Sequence, residues 1–256
     1  MKLTLLQSDI IWENKTDNLS RLESLISGAP AGTEMIFFPE MFNTGFSMNP
    51  DNLSEPPGSL TTNWLLNVAA RFNVGLGGSF IVQENGCYYN RWLFVSPDGT
   101  IRKYDKRHLF SPANENKLLC RGNERIVFKF KEFRICPTVC YDLRFPVWSR
   151  CRKDYDLLVN SANWPQSRRD AWITLLRARA IENQCYVAGI NRIGIDGTGI
   201  SYSGDSMIIG PKGEIIASGE QGSECLVSAD ISLEKLSEFR NRFPFLDDGD
   251  VFTMES

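Results

Sequence analysis

Two turns of the same design recur in this chain, and they constrain its fold more than any other feature. Ser96-Pro97-Asp98-Gly99 lies between the segments 91–95 and 100–104, and Pro211-Lys212-Gly213 lies inside the run 207–216. In each, proline presets φ and glycine accepts the positive φ that follows, so each segment reads as a β-hairpin. Elsewhere, short apolar runs alternate with amphipathic stretches. Residues 3–7 read as a strand, and 16–27 as a helix with Leu19, Leu22, Leu25 and Ile26 on one side and Gly28 just after. Residues 35–38 form a second strand. Trp64, Leu65, Val68, Ala69 and Phe72 mark a helix behind the candidate caps Thr61 and Thr62, and 74–82 is a glycine-rich strand. A second hairpin pairs 126–130 with 133–139 and ends at Cys140. Strands at 155–160 and 186–191 flank a long helix, 168–183, and a last helix covers 233–242. Strands that alternate first with helices and then with hairpins imply a mixed sheet, with a pseudo-repeat of about 110 residues. Two such halves stack sheet on sheet with helices outside.

Composition narrows the function. The chain has 256 residues, 42% hydrophobic and 23% charged, which suits a globular protein read here as a single unit, 1–256, with a C-terminal tail from about 243. No run of about 18 apolar residues exists, and the N-terminal apolar segment meets Gln7, Ser8 and Asp9 too soon for a signal-peptide core. The expectation is a cytoplasmic protein with no membrane partner. Seven scattered cysteines fit a reducing compartment, and Cys87, Cys120, Cys136, Cys151, Cys185 and Cys225 read as ordinary packed or surface thiols. A net charge of −3 with interspersed signs offers no field for nucleic acid. The densest basic stretch, 144–153, reads as a solvated helix face or a local anion site. One histidine, His108, and no Cys-x-x-Cys pair argue against a metal. Cys136 and Cys140, on one face of an extended strand, would stand about 13 Å apart, too far to share an ion.

Cys140 sits where the apolar run 134–139 breaks into polar and aromatic residues, the layout of a nucleophile at a strand mouth. Glu40 and Lys106 stand at two other strand exits. A thiol, a base and a cation are the minimum set for acyl transfer without histidine. Each has a plain alternative: Cys140 as a packed thiol, Glu40 as a solvated strand end, Lys106 and Glu115 as surface ion pairs. His108 is a conceivable partner for Cys140 or a structural residue.

Phe38-Pro39-Glu40-Met41-Phe42, Tyr104-Asp105-Lys106-Arg107-His108-Leu109 and Val139-Cys140-Tyr141-Asp142-Leu143-Arg144-Phe145-Pro146 resemble, in order and spacing, the three signature segments of the nitrilase superfamily of carbon–nitrogen hydrolases. Ser161-Ala162-Asn163-Trp164-Pro165, the segment 177–183 and Gly204-Asp205-Ser206 are similar to it too, so the resemblance spans nearly the whole chain. The Cys-Tyr-Asp-Leu-Arg-Phe-Pro segment and Trp148-Ser149-Arg150 look most like the ω-amidase branch, whose members release ammonia from 2-oxoglutaramate and 2-oxosuccinamate. The resemblance implies a four-layer αββα sandwich, a homodimer, no cofactor and a small-molecule amide substrate. It assigns Glu40 as base and acid, Lys106 as oxyanion stabiliser, Cys140 as nucleophile and Glu115 as a second, positioning glutamate.

Substrate recognition stays open at this level. The Tyr141 N–H is an oxyanion donor candidate. Trp164 is a core aromatic or a pocket wall, and Arg144 anchors a buried carboxylate of the fold or receives that of the substrate. Arg107, Arg144, Arg168 and Arg169 are all candidates for a substrate carboxylate. Competing readings are an amidase for a larger substrate such as deaminated glutathione, a nitrilase, or an idle scaffold subunit. The acidic tail, 247–256, is either loose or crosses onto a partner.

Overall fold

Strands that are apolar on both faces need cover on both, and this requirement builds the layers of the molecule. The computed structural model describes residues 1–254. The first half contains β1 (Lys2–Gln7), α1 (Lys15–Ser27), β2 (Thr33–Phe37), α2 (Pro50–Leu53), α3 (Leu60–Phe72), β3 (Gly75–Glu84), β4 (Cys87–Val95) and β5 (Ile101–Asp105). After α4 (Glu115–Leu118) come β6 (Phe128–Phe130), β7 (Phe133–Val139), β8 (Leu157–Ala162), α5 (Arg169–Asn183) and β9 (Tyr186–Asn191). The hairpin β10 (Ile193–Ile195) and β11 (Ser201–Ser203), then β12 (Met207–Ile209), β13 (Ile215–Ser218), β14 (Cys225–Asp230) and α6 (Leu233–Arg242) complete the chain.

Two six-stranded sheets result, ordered β14-β1-β2-β3-β4-β5 and β13-β12-β9-β8-β7-β6. Each has three parallel strands (β1, β2, β3 and β7, β8, β9), an antiparallel hairpin on one side and a single antiparallel strand on the other. The pseudo-repeat is therefore real, and the two proline-x-glycine turns close equivalent hairpins, β4–β5 and β12–β13. Alternate residues point to opposite faces. Met35 and Phe37 enter the core between the sheets while Ile36 and Phe38 pack under α1 and α3. On the other side, Leu157 and Val159 meet the first sheet, and Leu158 and Ala162 lie with Trp172 and Leu176 of α5. The four layers are the αββα sandwich. Gly77 allows the central aromatics to close in: a Cβ there would lie 2.8 Å from both Phe37 and Trp92.

Several expectations need correction. α3 begins after Ser59, and Thr61 lies inside it, donating its N–H and hydroxyl to the buried Glu55 rather than capping the helix itself. β14 escaped the sequence reading because it is an edge strand whose side chains are mostly half exposed. The basic stretch 144–153 is no helix face: Arg150 donates to the Glu182 carbonyl at 2.6 Å, Arg152 to the Phe252 carbonyl at 2.8 Å, and Lys153 pairs with Asp247. It holds the tail, which packs on its own chain as far as residue 252; residues 255–256 lie outside the described part. Cys87 and Cys120 are not free thiols but form a disulfide, with Cα atoms 5.9 Å apart. Their separation of 33 residues gave no hint of the pairing. No helix among the described residues is long and apolar enough to cross a membrane.

Asp156, just before β8, ties the second half together: it accepts from Arg134 Nε and Nη2 at 2.9 and 2.7 Å and from Arg240 of α6 at 2.9 Å. Burial pushes its carboxyl up, but the Arg134 hydrogen bonds and the two guanidinium charges prevail and hold it below the ordinary 3.8. A lowered folded value stabilises the fold fully above the ordinary one, and that gain is lost as pH falls through the folded value. Asp156→Asn is expected to cost about 2 kcal/mol at pH 7, a drop in Tm of roughly 4–8 °C. Thermal melts should show that gap closing toward pH 3; a constant gap would contradict the charge pairing.

Candidate active site

Three of the segments that carry chemistry leave their strands at one edge of the sandwich. β2, β3 and β5 run in one direction within the first sheet, and β7 and β8 are parallel in the second. Glu40 lies just past β2, Lys106 directly follows β5, and Cys140 directly follows β7. Glu115 opens α4, and Asn163 directly follows β8.

The centre is an ammonium between two carboxylates, all three side chains without solvent exposure. Lys106 Nζ donates to Glu40 Oε1 at 2.8 Å and to Glu115 Oε2 at 2.9 Å. Burial alone would discharge Lys106, but the Glu115 and Glu40 carboxylates outweigh it and hold the ammonium above its usual value. Burial pushes the Glu115 carboxyl up; Lys106 opposes this and Glu40 reinforces it. Further donors hold the carboxylates. Asn90 Nδ2 reaches Glu40 Oε1 at 2.8 Å and Glu115 Oε1 at 3.1 Å. The Asn163 N–H donates to Glu40 Oε2 at 3.0 Å, and the Phe110 N–H to Glu115 Oε2 at 2.6 Å.

Cys140 adopts a φ of +43°, a conformation costly for any residue with a Cβ. Asp142 holds it there. Its Oδ2 accepts from the Val139 N–H at 2.9 Å and from the Tyr104 hydroxyl at 2.7 Å, and its Oδ1 accepts from the His108 N–H at 2.9 Å. The His108 ring also meets Asp142 Oδ1 through Nδ1 at 2.8 Å and stacks on Phe145, so it braces the turn and is no partner for the thiol. Burial raises the Cys140 thiol well above 9.0, Glu40 adds to the effect and Lys106 opposes it. The resting nucleophile is thus a thiol.

Glu40, Lys106, Cys140 and Glu115 therefore converge as the sequence indicated, and the plain alternatives for the two glutamates and the lysine, solvated ends and surface pairs, are excluded by their burial. Tyr141, Arg144 and Trp164 all line a cavity of about 230 Å³ that opens on Cys140. Trp164 is both a wall of that cavity and a member of the core cluster under α5, and among the described residues Arg144 anchors no buried carboxylate. Asn90 escaped notice; its signal was a polar residue in the alternating inward row with Trp92 and Phe94. The Phe110 and Asn163 backbone donors leave no mark in side-chain identity. Gly204-Asp205-Ser206 is a brace, where Asp205 pairs with Arg169 at 2.8 Å and Ser206 Oγ accepts from the Asn191 N–H at 3.0 Å.

A thiol at a cavity floor, two buried carboxylates and a buried ammonium at one edge of a four-layer sandwich define a class, and the chain belongs to the carbon–nitrogen hydrolase family, whose model matches residues 2–241. It is 45% identical to the omega-amidase YafV of Yersinia enterocolitica, with 99% of this chain and 98% of that protein covered. It is 35% identical to the 2-oxoglutaramate amidase of Bacillus subtilis, covering 97% and 98%. Among solved structures, XC1258 from Xanthomonas campestris, a superfamily member with an arsenic adduct in its active site, superimposes with a TM-score of 0.96 at 38% identity, covering 100% and 99%.

Because the thiol is held protonated, alkylation of Cys140 by iodoacetamide, followed by peptide mass spectrometry, is expected to keep accelerating through pH 9. Glu40→Gln removes a negative charge beside the sulfur and should move the profile to lower pH. A wild-type rate already level at pH 7 would contradict this electrostatic arrangement.

Proposed function

We propose that the protein is an ω-amidase that hydrolyses the terminal amide of α-keto acid amides such as 2-oxoglutaramate and 2-oxosuccinamate, through a thioester on Cys140. The observation that carries the reading is the buried Glu40–Lys106–Glu115 cluster beside the Cys140 side chain. Cys140 Sγ attacks the amide carbon as Glu40 takes its proton, so the nucleophile forms only as it is used. The oxyanion is stabilised by the Lys106 ammonium and the Tyr141 N–H. Glu40 returns the proton to nitrogen, the C–N bond breaks, and ammonia leaves. Water then attacks the thioester carbon while Glu40 takes a proton from it; that proton passes to sulfur as the C–S bond breaks and the acid departs. Glu115 holds Lys106 directly and positions Glu40 through Asn90.

The names of the relatives that cover almost the whole chain support this substrate class. The same reading includes a homodimer in the cytoplasm. The exposed apolar Ile181, Ile215, Ile216 and Phe245 support an interface on the side of the second sheet, and a monomeric mass by light scattering at micromolar concentration would rule the dimer out.

Ammonia release from 2-oxoglutaramate at neutral pH tests the activity. Cys140→Ala is expected to abolish it, and Lys106→Met to lower kcat by about 100- to 1,000-fold. Turnover that survives in Cys140→Ala would refute the thioester route. Turnover of a nitrile or a larger amide in preference would move the substrate assignment.

A further inference from the structure

We infer that Cys87 and Cys120 form a redox modification site that takes a small thiol as its reductant, and that opening their bond slows the catalytic centre. The inference concerns control of that centre, so its activity readout rests on the ω-amidase reading. The position of the bond carries it. Cys87 opens β4, three residues before Asn90, and Cys120 lies just beyond α4, five residues after Glu115. Asn90 Nδ2 donates to both Glu40 and Glu115, and Glu115 accepts from Lys106. The disulfide therefore joins the two segments whose side chains hold the base and the ammonium in place.

Other ties on the Glu115 segment are few. Residues 110–120 lie outside both sheets, and their regular structure is one 3₁₀ turn, Ser111–Ala113, and the four residues of α4. Most of residues 111–118 are exposed, and only Glu115 and Leu119 are buried. Leu119 joins a small apolar cluster with Met41, Leu53 and Ile81, and the Cys120 N–H donates to the Tyr88 carbonyl at 2.7 Å. A segment so lightly packed opens locally at low cost. The covalent bond is the tie that a redox reaction removes. Once it is open, Glu115 is free to drift from Asn90 and Lys106, and misplacement of such groups by about 1 Å costs up to about 100-fold in rate.

Surroundings separate this pair from the other thiols. Cys87 and Cys120 are both partly exposed, whereas Cys136, Cys151 and Cys185 are buried in the core under α5. In the exchange, a thiolate of the reductant attacks one sulfur of the pair, the S–S bond breaks, and the released sulfur takes a proton. A second thiolate attacks the reductant's sulfur in the mixed disulfide and frees the other cysteine, which is protonated in turn. Two electrons and two protons reach the pair, and the reductant leaves as its own disulfide. In a reducing cytoplasm, a disulfide is typically one that opens and closes in use.

The test is hydrolysis of 2-oxoglutaramate by the wild type and by the double variant Cys87→Ser, Cys120→Ser in glutathione buffers of graded thiol-to-disulfide ratio. Peptide mass spectrometry follows the free thiols. Wild-type kcat is expected to fall about 10-fold as the bond opens, with a smaller change in KM, and to recover on reoxidation. The double variant should match the reduced wild type at every ratio; if it does not fold, the reduced wild type carries the same comparison without a substitution. Hydrogen exchange of residues 109–119 should speed up on reduction while that of β7 and β8 holds. A kcat that holds after the bond has opened would overturn the proposal, as would a double variant that still follows the buffer, since the sensor would then be another thiol. A bond that glutathione leaves closed in the folded enzyme would overturn it as well. A wild type inert toward 2-oxoglutaramate at every ratio would instead defeat the ω-amidase reading, and exchange at 109–119, faster on reduction or unchanged, would still decide for or against the switch.

Discussion

The buried ammonium of Lys106 is the constraint around which the molecule is arranged. An ion removed from water costs several kcal/mol unless its partners replace the lost solvation, and here the partners are themselves ions that need the same treatment. Lys106 is satisfied by Glu40 and Glu115, and they in turn by Asn90 and by the N–H groups of Asn163 and Phe110. These groups come from the ends of β2, β5 and β8, from β4, and from the segment leading into α4. No subset of them makes a satisfied cluster. The sheets must therefore meet in one register for the charges to be tolerated, and the arrangement that makes burial tolerable is the one that chemistry requires.

The nucleophile depends on a second, smaller device. Cys140 is held in a left-handed backbone conformation by a carboxylate two residues on, and that carboxylate is anchored through Tyr104 and His108 to the same segment that bears Lys106. Movement of the turn and movement of the ammonium are thereby linked. Burial and the neighbouring Glu40 carboxylate raise the thiol, which lowers the thiolate fraction open to adventitious oxidants. Its reactivity is summoned by an electrophile in place rather than stored as a free thiolate.

Much of this was legible in the residues. The apolar runs and hairpin turns predicted nearly every long strand, because strands covered on both faces leave continuous apolar signatures. Glu40 and Cys140 stood out because each interrupts such a run at its end, and Lys106 because it stands at the exit of a strand. What could not be read were contributions that arise only on pairing in space. Asn90 matters because β4 lies beside β5, the Phe110 N–H because a loop curls back, and the Cys87–Cys120 bond because α4 packs at the start of β4.

The place of β14 has a consequence for how the chain is made. This strand, near the C-terminal end, pairs with β1 along its whole length, from Lys2 with Asp230 to Gln7 with Cys225, and the amide and carbonyl of Ile231 bond to Met1. The first sheet, although five of its six strands belong to the first half of the sequence, stays open on one side until residue 231 has left the ribosome. Pairing across so long a separation is entropically slow. During synthesis the β1 edge is a bare strand able to recruit the wrong partner, and this makes the nascent chain a natural client for chaperones.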